Sequence, residues 1–233
     1  MKKVQEKIFK KSNFTTEDKI KNFTKYVSRK YIARFLAQNE LFKKQIGIKG
    51  SIVECGVHQG GGLLAWGKLS SIYEPHNYHR EVIGFDTFEG FPSVSKQKDK
   101  SKGAYKKNFS EKVDIIDDIE LVSRFLDSER SIKNKKKIKL VKGDANNTIP
   151  KFIEKNPHIL ISLLYLDFDI YQPTKTALKY FYSRIPKGGI IAFDELNNSD
   201  WPGETLAVLE ELNLKKHKIE NFYFEPNISY IIK

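Results

Sequence analysis

Five short runs of apolar residues recur through the middle of the chain, each separated from the next by a mixed stretch. They are "SIVEC" (51–55), "EVIGF" (81–85), "IKLV" (138–141), "ILISLLYL" (159–166) and "GIIAF" (189–193). Runs that are continuously apolar, not alternating, indicate strands buried on both faces, as in a parallel sheet covered by helices. Segments with helical spacing lie between them, such as "LLAWGKLSSIY" and "TKTALKYFYSRI". Strand and helix in alternation predict an α/β fold with a doubly wound, mostly parallel sheet. The last stretch, "NFYFEPNISYIIK", holds two strand-like runs around Glu225-Pro226-Asn227, a turn signal that predicts a closing antiparallel hairpin. Ahead of the first strand, residues 16–46 read as helix, part of a set of N-terminal helices, opened by a threonine cap with acids in the first turn.

The length of 233 residues fits a single domain, 1–233, with a helical N-terminal extension over 1–48. The lysine-rich region 93–135 is long for a connection and reads as a lid or insertion. No apolar run approaches the roughly 20 residues that span a bilayer. The N-terminus is charged without an apolar core, which predicts no secretory signal. The single cysteine, Cys55, permits no internal disulfide, suits a cytoplasmic location and sits in an apolar strand as a core residue. The net charge is +12, with lysines gathered in Ser95–Lys107 and Ile132–Lys139. Such a surface suits phosphate-bearing partners, either nucleic acid, anionic lipid or a nucleotide-linked substrate. The alternative is solvated loops in a chain generally rich in Lys, Asn and Ile.

The chemistry is expected beyond the carboxyl ends of the strands, where open α/β sheets bind ligands. The first run ends in "ECGVHQGGG", whose glycines permit a tight turn and close backbone approach. Its spacing is not that of a dinucleotide fingerprint, and no G-K-[ST] follows, which excludes a P-loop. The second run ends at Asp86, placed to accept ribose hydroxyls, or to cap a helix. The third is followed by Asp144, placed near an adenine, or again a cap. Three such ends in order predict a nucleoside cofactor.

The fourth run stops at "LDFDIYQPT", which places Asp167 and Asp169 on one side of a period-2 backbone. Two neighbouring carboxylates repel, so a positive group is expected beside them. The fifth run ends in Asp194 and Glu195, adding two acids to the same rim. Hard oxygen donors in such a group favour Mg²⁺, Ca²⁺ or Mn²⁺. Solvated or lysine-paired acids are the alternative.

The ordered segments "VECGVHQGG", "FDTFEGFP", "LDFDIYQPT", "PKGGIIAFDE" and "WPGET" together resemble the macrocin O-methyltransferase (TylF-like) family of S-adenosylmethionine-dependent enzymes, from about Ser51 to about Glu211. Within it the chain is similar to the subgroup that methylates deoxysugars on nucleotide-linked hexoses. The resemblance implies a class I, Rossmann-like methyltransferase fold with seven strands. It implies cofactor contacts from Glu54, Gly56, Val57 and Gly60 at the glycine turn, from Asp86, Thr87 and Phe88, and from Asp144 and Ala145. It implies Mg²⁺ or another divalent cation on Asp167 and on the pair Asp194–Glu195, although the family commonly has Asp-Asp at that pair. The family's general base lies in the stretch equivalent to about 104–114, which makes Tyr105 and Glu111 candidates. His58 stands where the family often has other residues, and is either a base or a structural histidine.

The expected reaction is therefore metal-assisted methyl transfer from S-adenosylmethionine to a sugar hydroxyl, with Asp167, His58, Tyr105 and Glu111 as catalytic candidates. The implied partner is a small-molecule acceptor, a nucleotide-sugar, and a homo-oligomer is compatible with the chain. Alternatives are a catechol-type or small-phenol methyltransferase, a nucleic-acid methyltransferase and a non-catalytic cofactor-binding module. Against nucleic acid, the fourth run continues "DFDIY" and lacks the Pro-Pro-aromatic motif of amino-methylating enzymes.

Overall fold

The computed structural model describes residues 2–233. Four helices precede the first strand: α1 (Lys2–Lys11), α2 (Thr16–Lys21), α3 (Phe23–Tyr26) and α4 (Arg29–Gln45). The helical stretch expected over 16–46 is divided into three helices, α2, α3 and α4. Asn22 leaves the helical region at φ −106°, ψ 38°, and Val27 and Ser28 are extended. Thr15 caps α2, its hydroxyl accepting the N–H of Asp18 at 3.1 Å.

Strand and helix then alternate as expected: β1 (Ser51–Cys55), α5 (Gly61–Tyr73), β2 (Val82–Asp86), α6 (Ile115–Glu129), β3 (Ile138–Lys142), α7 (Ala145–Lys155), β4 (Ile161–Leu166), α8 (Tyr171–Phe181), β5 (Ile190–Phe193) and α9 (Pro202–Glu211). β6 (Glu220–Phe222) and β7 (Glu225–Ile232) close the sheet. The strand order is β3-β2-β1-β4-β5-β7-β6. The first five strands are parallel, and β7 runs antiparallel to both β5 and β6. This is an α/β sheet of the class I methyltransferase type.

The final turn falls at Tyr223-Phe224 and not at Glu225-Pro226-Asn227, which belong to β7. Phe222 pairs with Glu225 and Asn221 with Ser229, so the residues from Pro226 to Ile228 bulge out of the ladder. A proline that donates no N–H is tolerated there.

Residue parity sorts the strands between two cores. Ile52, Leu163, Tyr165, Ile190 and Ala192 pack beneath α4, α5 and α6, with Phe42, Trp66 and Ile119. Val53, Phe85, Leu164, Ile191 and Phe193 pack on the other face with Phe152 and Phe181 from α7 and α8. Phe85 meets Phe152 edge-on at 5.2 Å between ring centres. Continuing the parity by two residues sends Asp167 and Asp194 to the α4 face, and this sets the character of the site.

Candidate active site

The sheet reverses its direction of growth between β1 and β4, and a cavity of about 370 Å³ opens above their carboxyl ends. Its floor is the glycine turn after β1. Gly56 has φ +94°, and a Cβ there would lie 2.0 Å from the carbonyl oxygen of Asp167, so only glycine lets β1 and β4 close at this height. Asp86 pins the same turn. Its Oδ2 accepts the N–H of Val57 at 2.7 Å and of His58 at 2.8 Å, while Oδ1 accepts the N–H of Phe88 at 2.7 Å. His58 and Phe88 both hold positive φ, 48° and 56°. Asp86 is therefore no helix cap but the tie between two strand ends, with lone pairs left on the cavity side. Asp144 fills both roles open to it: it lines the cavity, and its Oδ1 caps α7 by accepting the N–H of Asn146 at 2.9 Å.

The structure brings Gly56, His58, Asp86, Thr87, Phe88, Asp144, Ala145, Asp167 and Asp194 to this one cavity. Glu54, Val57 and Gly60 are buried behind it. Glu54 accepts the indole N–H of Trp66 at 2.6 Å, and burial pushes its carboxyl up to about 8, keeping it largely protonated at neutral pH. Val57 reaches the site only through its backbone N–H on Asp86.

Of the candidate bases, His58 and Glu111 come together. The His58 Nε2 lies 3.6 Å from Glu111 Oε1, which also accepts from Gln59 Nε2 at 2.7 Å. The His58 ring stands edge-on to Phe109 at 5.7 Å. Tyr105 is 57% exposed and lies outside the cavity lining.

The acidic rim holds the largest departure from expectation. The positive group beside Asp167 is an arginine from the N-terminal extension. Arg34 of α4 donates through Nη2 to Asp167 Oδ2 at 2.6 Å and through Nη1 to Asp194 Oδ1 at 2.6 Å. The Tyr165 hydroxyl donates to the same Asp194 oxygen at 2.8 Å. Burial and the Asp194 charge push the Asp167 carboxyl up, while Arg34 pulls it down. Glu195 takes no part in the Arg34 bridge: its Oε2 accepts from the Asn198 side chain, and its backbone N–H donates to Glu204 Oε1 at 2.9 Å. Asp169 lies beyond the end of β4 with φ +61°, so the period-2 argument stops at Asp167. Burial, followed by the charges of Asp194 and Glu195, pushes Asp169 up to about 8. Among the described residues no three His, Cys, Asp or Glu side chains converge as a metal would require. As placed, the rim does not fit a divalent cation, because the guanidinium already bridges the two carboxylates that would hold it.

Two charged residues of the cavity carry no sequence signal of a site, Lys30 and Arg34, one helical turn apart on α4. Their i, i+4 spacing is the only signal that pairs them on one face. The loop 93–114 is tied down more firmly than its composition suggests. Asp99 is buried; its Oδ1 accepts the N–H of Tyr171 at 2.7 Å and its Oδ2 that of Ser95 at 2.7 Å. Gly103 packs on the Trp201 ring, and Lys98 pairs with Glu210. Of the lysines between 96 and 107, only Lys98 is half-buried; the others are exposed.

Residues 5–216 match the family model of macrocin O-methyltransferase (TylF). The chain belongs to the macrocin O-methyltransferase family. Members of this family are S-adenosylmethionine-dependent O-methyltransferases, and this chain is one. No curated protein sequence matches it significantly. Among solved structures it is similar to CalS11, a calicheamicin methyltransferase, at 30% identity and TM-score 0.95, over 99% of this chain and 90% of that one. An apo structure of CalS11, described as a TDP-rhamnose 3'-O-methyltransferase, aligns at 28% identity and TM-score 0.85, over 99% and 92%. The O-methyltransferase NovP shares the fold at 20% identity and TM-score 0.68, over 87% and 80%. The macrocin O-methyltransferase fold thus accounts for nearly the whole chain, α4 included. Among the described residues no helix is long and apolar enough to cross a membrane.

Proposed function

We propose that this enzyme transfers the methyl group of S-adenosylmethionine to a hydroxyl of a deoxyhexose carried on a nucleotide. The observation that carries the reading is a family member's cavity whose cofactor end, built from Gly56, Asp86 and Asp144, runs into a polar end lined by Lys30, Arg34, His58, Asp167 and Asp194. Alignment with a TDP-rhamnose methyltransferase over 99% of the chain supports the acceptor class. The methyl passes from sulfonium to oxygen in line, and the hydroxyl must lose its proton as the bond forms. Asp167 Oδ1, which Arg34 leaves free, accepts a hydrogen bond from the hydroxyl and aims it. His58, with Glu111 behind it, takes the proton. Lys30 and the lysines of 95–107 attract the acceptor's diphosphate. The metal role implied for Asp167, Asp194 and Glu195 is the part of the expectation that the rim favours least, and no step here uses it. The enzyme acts on a small molecule and is read as cytoplasmic.

A catechol-type acceptor is the second reading, favoured by the aromatic wall of Phe91 and Phe109, whose rings meet at 5.4 Å. Turnover assays with a panel of nucleotide-linked deoxyhexoses and of catechols separate the two. Methylation confined to the sugars, and lost in His58→Asn while S-adenosylhomocysteine still binds, supports the first. Methylation of catechols alone overturns it.

A further inference from the structure

The acidic rim contains its own cation. Parity places Asp167 and Asp194 side by side on the face of the sheet that α4 covers, and α4 answers with Arg34. The guanidinium is planar and meets one oxygen of each carboxylate at 2.6 Å. It is well anchored, with about a quarter of its side chain exposed, and its carbon lies 5.9 Å over the Tyr165 ring. Lys30 lies one turn earlier, and its charge opposes the upward shift that burial imposes on Glu195. Two cations from one helix therefore face Asp167, Asp169, Asp194 and Glu195. A magnesium ion bridging Asp167 and Asp194 demands near-octahedral oxygen ligation at about 2.1 Å. On the oxygens that face each other it would displace the guanidinium, and on the remaining ones it would sit beside a fixed positive charge that repels it.

We propose that Arg34 is a positioning residue that replaces a divalent cation at this rim, so that the native enzyme holds Asp167 and Asp194 in place without metal. The inference rests on reading the rim as the methyl-transfer site. Its test uses neither cofactor nor acceptor, so the two readings fail separately. Mn²⁺ is titrated into the full-length protein, and the bound ion is followed by the loss of the free-ion electron paramagnetic resonance signal. Wild type is expected to show no saturable site that depends on Asp167. Arg34→Gln, which uncovers the carboxylates, is expected to gain one site at least about tenfold tighter than any in wild type. That site is expected to vanish in Arg34→Gln/Asp167→Asn and in Arg34→Lys, which restores the charge. A helix-docking role alone for Arg34 predicts no gain of ion binding. A saturable wild-type site abolished by Asp167→Asn overturns the proposal. So does a complete absence of binding in a folded Arg34→Gln. If Arg34→Gln does not fold, the wild-type and Asp167→Asn titrations decide alone.

Discussion

The carboxylate of Asp86, at the end of β2, accepts the backbone N–H of Val57, beyond the end of β1, at 2.7 Å. This bond holds the glycine turn against the neighbouring strand end before any ligand arrives. In Asp86→Asn the amide nitrogen cannot accept, so one of the three bonds from Val57, His58 and Phe88 is lost at the least. Affinity for S-adenosylhomocysteine is expected to fall by about tenfold or more. Calorimetry checks this, and unchanged affinity would remove Asp86 from the cofactor site.

Gly56→Ala puts a methyl group 2.0 Å from the Asp167 carbonyl at a φ of +94°. Neither the backbone nor the rotamer can relieve that contact. The variant is expected to lose about 1–3 kcal/mol or more of stability through strain alone. Its cofactor affinity falls too, because the turn and the Asp167 segment separate. Thermal denaturation with and without S-adenosylhomocysteine reads both effects.

Arg80 serves stability far from the cavity. Its buried guanidinium donates through Nε to Glu74 Oε2 at 2.7 Å and to the carbonyls of Ile46, Ile48 and Gly50, clamping the connection into β1. Arg80→Met leaves the mostly buried Glu74 carboxylate without a cation, held only by the Asn77 side-chain amide at 3.0 Å, and is expected to cost about 3–5 kcal/mol. Cofactor affinity of the folded fraction stays unchanged. A melting temperature equal to that of wild type would show the clamp to be dispensable.

Glu54 gives a pH signature. Its carboxyl is raised from the ordinary 4.5 to about 8 by burial, against the opposing Trp66 bond. Between those values the folded chain keeps a proton that the unfolded chain has released. This contribution is complete below 4.5 and is lost as the pH rises through about 8. Glu54→Gln keeps the acceptor for Trp66 and removes the titration. Its stability should decline with rising pH less steeply than that of wild type, by up to about 1.4 kcal/mol per pH unit. Denaturant unfolding from pH 5 to 8 measures the difference, and parallel lines would refute the assignment.

Asp99 fastens the lysine-rich loop to the N-terminus of α8 through the N–H of Tyr171. Asp99→Ala frees that donor and the N–H of Ser95. Trypsin should then cut between Lys96 and Lys107 several times faster, while sites on the sheet remain protected. Equal rates would mean that the Trp201 and Glu210 contacts hold the loop unaided.

Strands β1, β2, β4 and β5 are legible because burial on both faces keeps their runs almost wholly apolar. β3, at the sheet edge with Lys139 exposed, shows only through Ile138, Leu140 and Val141. The carboxylates of the site were legible for the same reason: Asp86, Asp167 and Asp194 stand where apolar runs stop. Arg34 was not. It lies in "RKYIARFL", where a cation looks like any solvated helix residue, and its partners are 133 and 160 residues away. The break at Asn22 was hidden because neither proline nor glycine marks it. The sequence points to a turn two residues too late because Pro226-Asn227, good turn residues, serve a bulge instead. The helix α6 was submerged in the lysine-rich composition around it, although Asp114 caps it by accepting the N–H of Asp117 at 3.1 Å.

The distance in sequence between Arg34 and Asp194 has a consequence for biosynthesis. During translation α4 leaves the ribosome long before β4 and β5 exist; its arginine can meet Asp167 only once about seven-tenths of the chain is made, and Asp194 only after four-fifths. Contacts of such long range form late, after the loops between them have closed. The charge balance of the rim is therefore a record of completed folding. A chain truncated before β5 can stack β1 and β2, yet it lacks the Asp194 arm of the bridge, so closure of the rim is among the last events in the folding of the nascent protein.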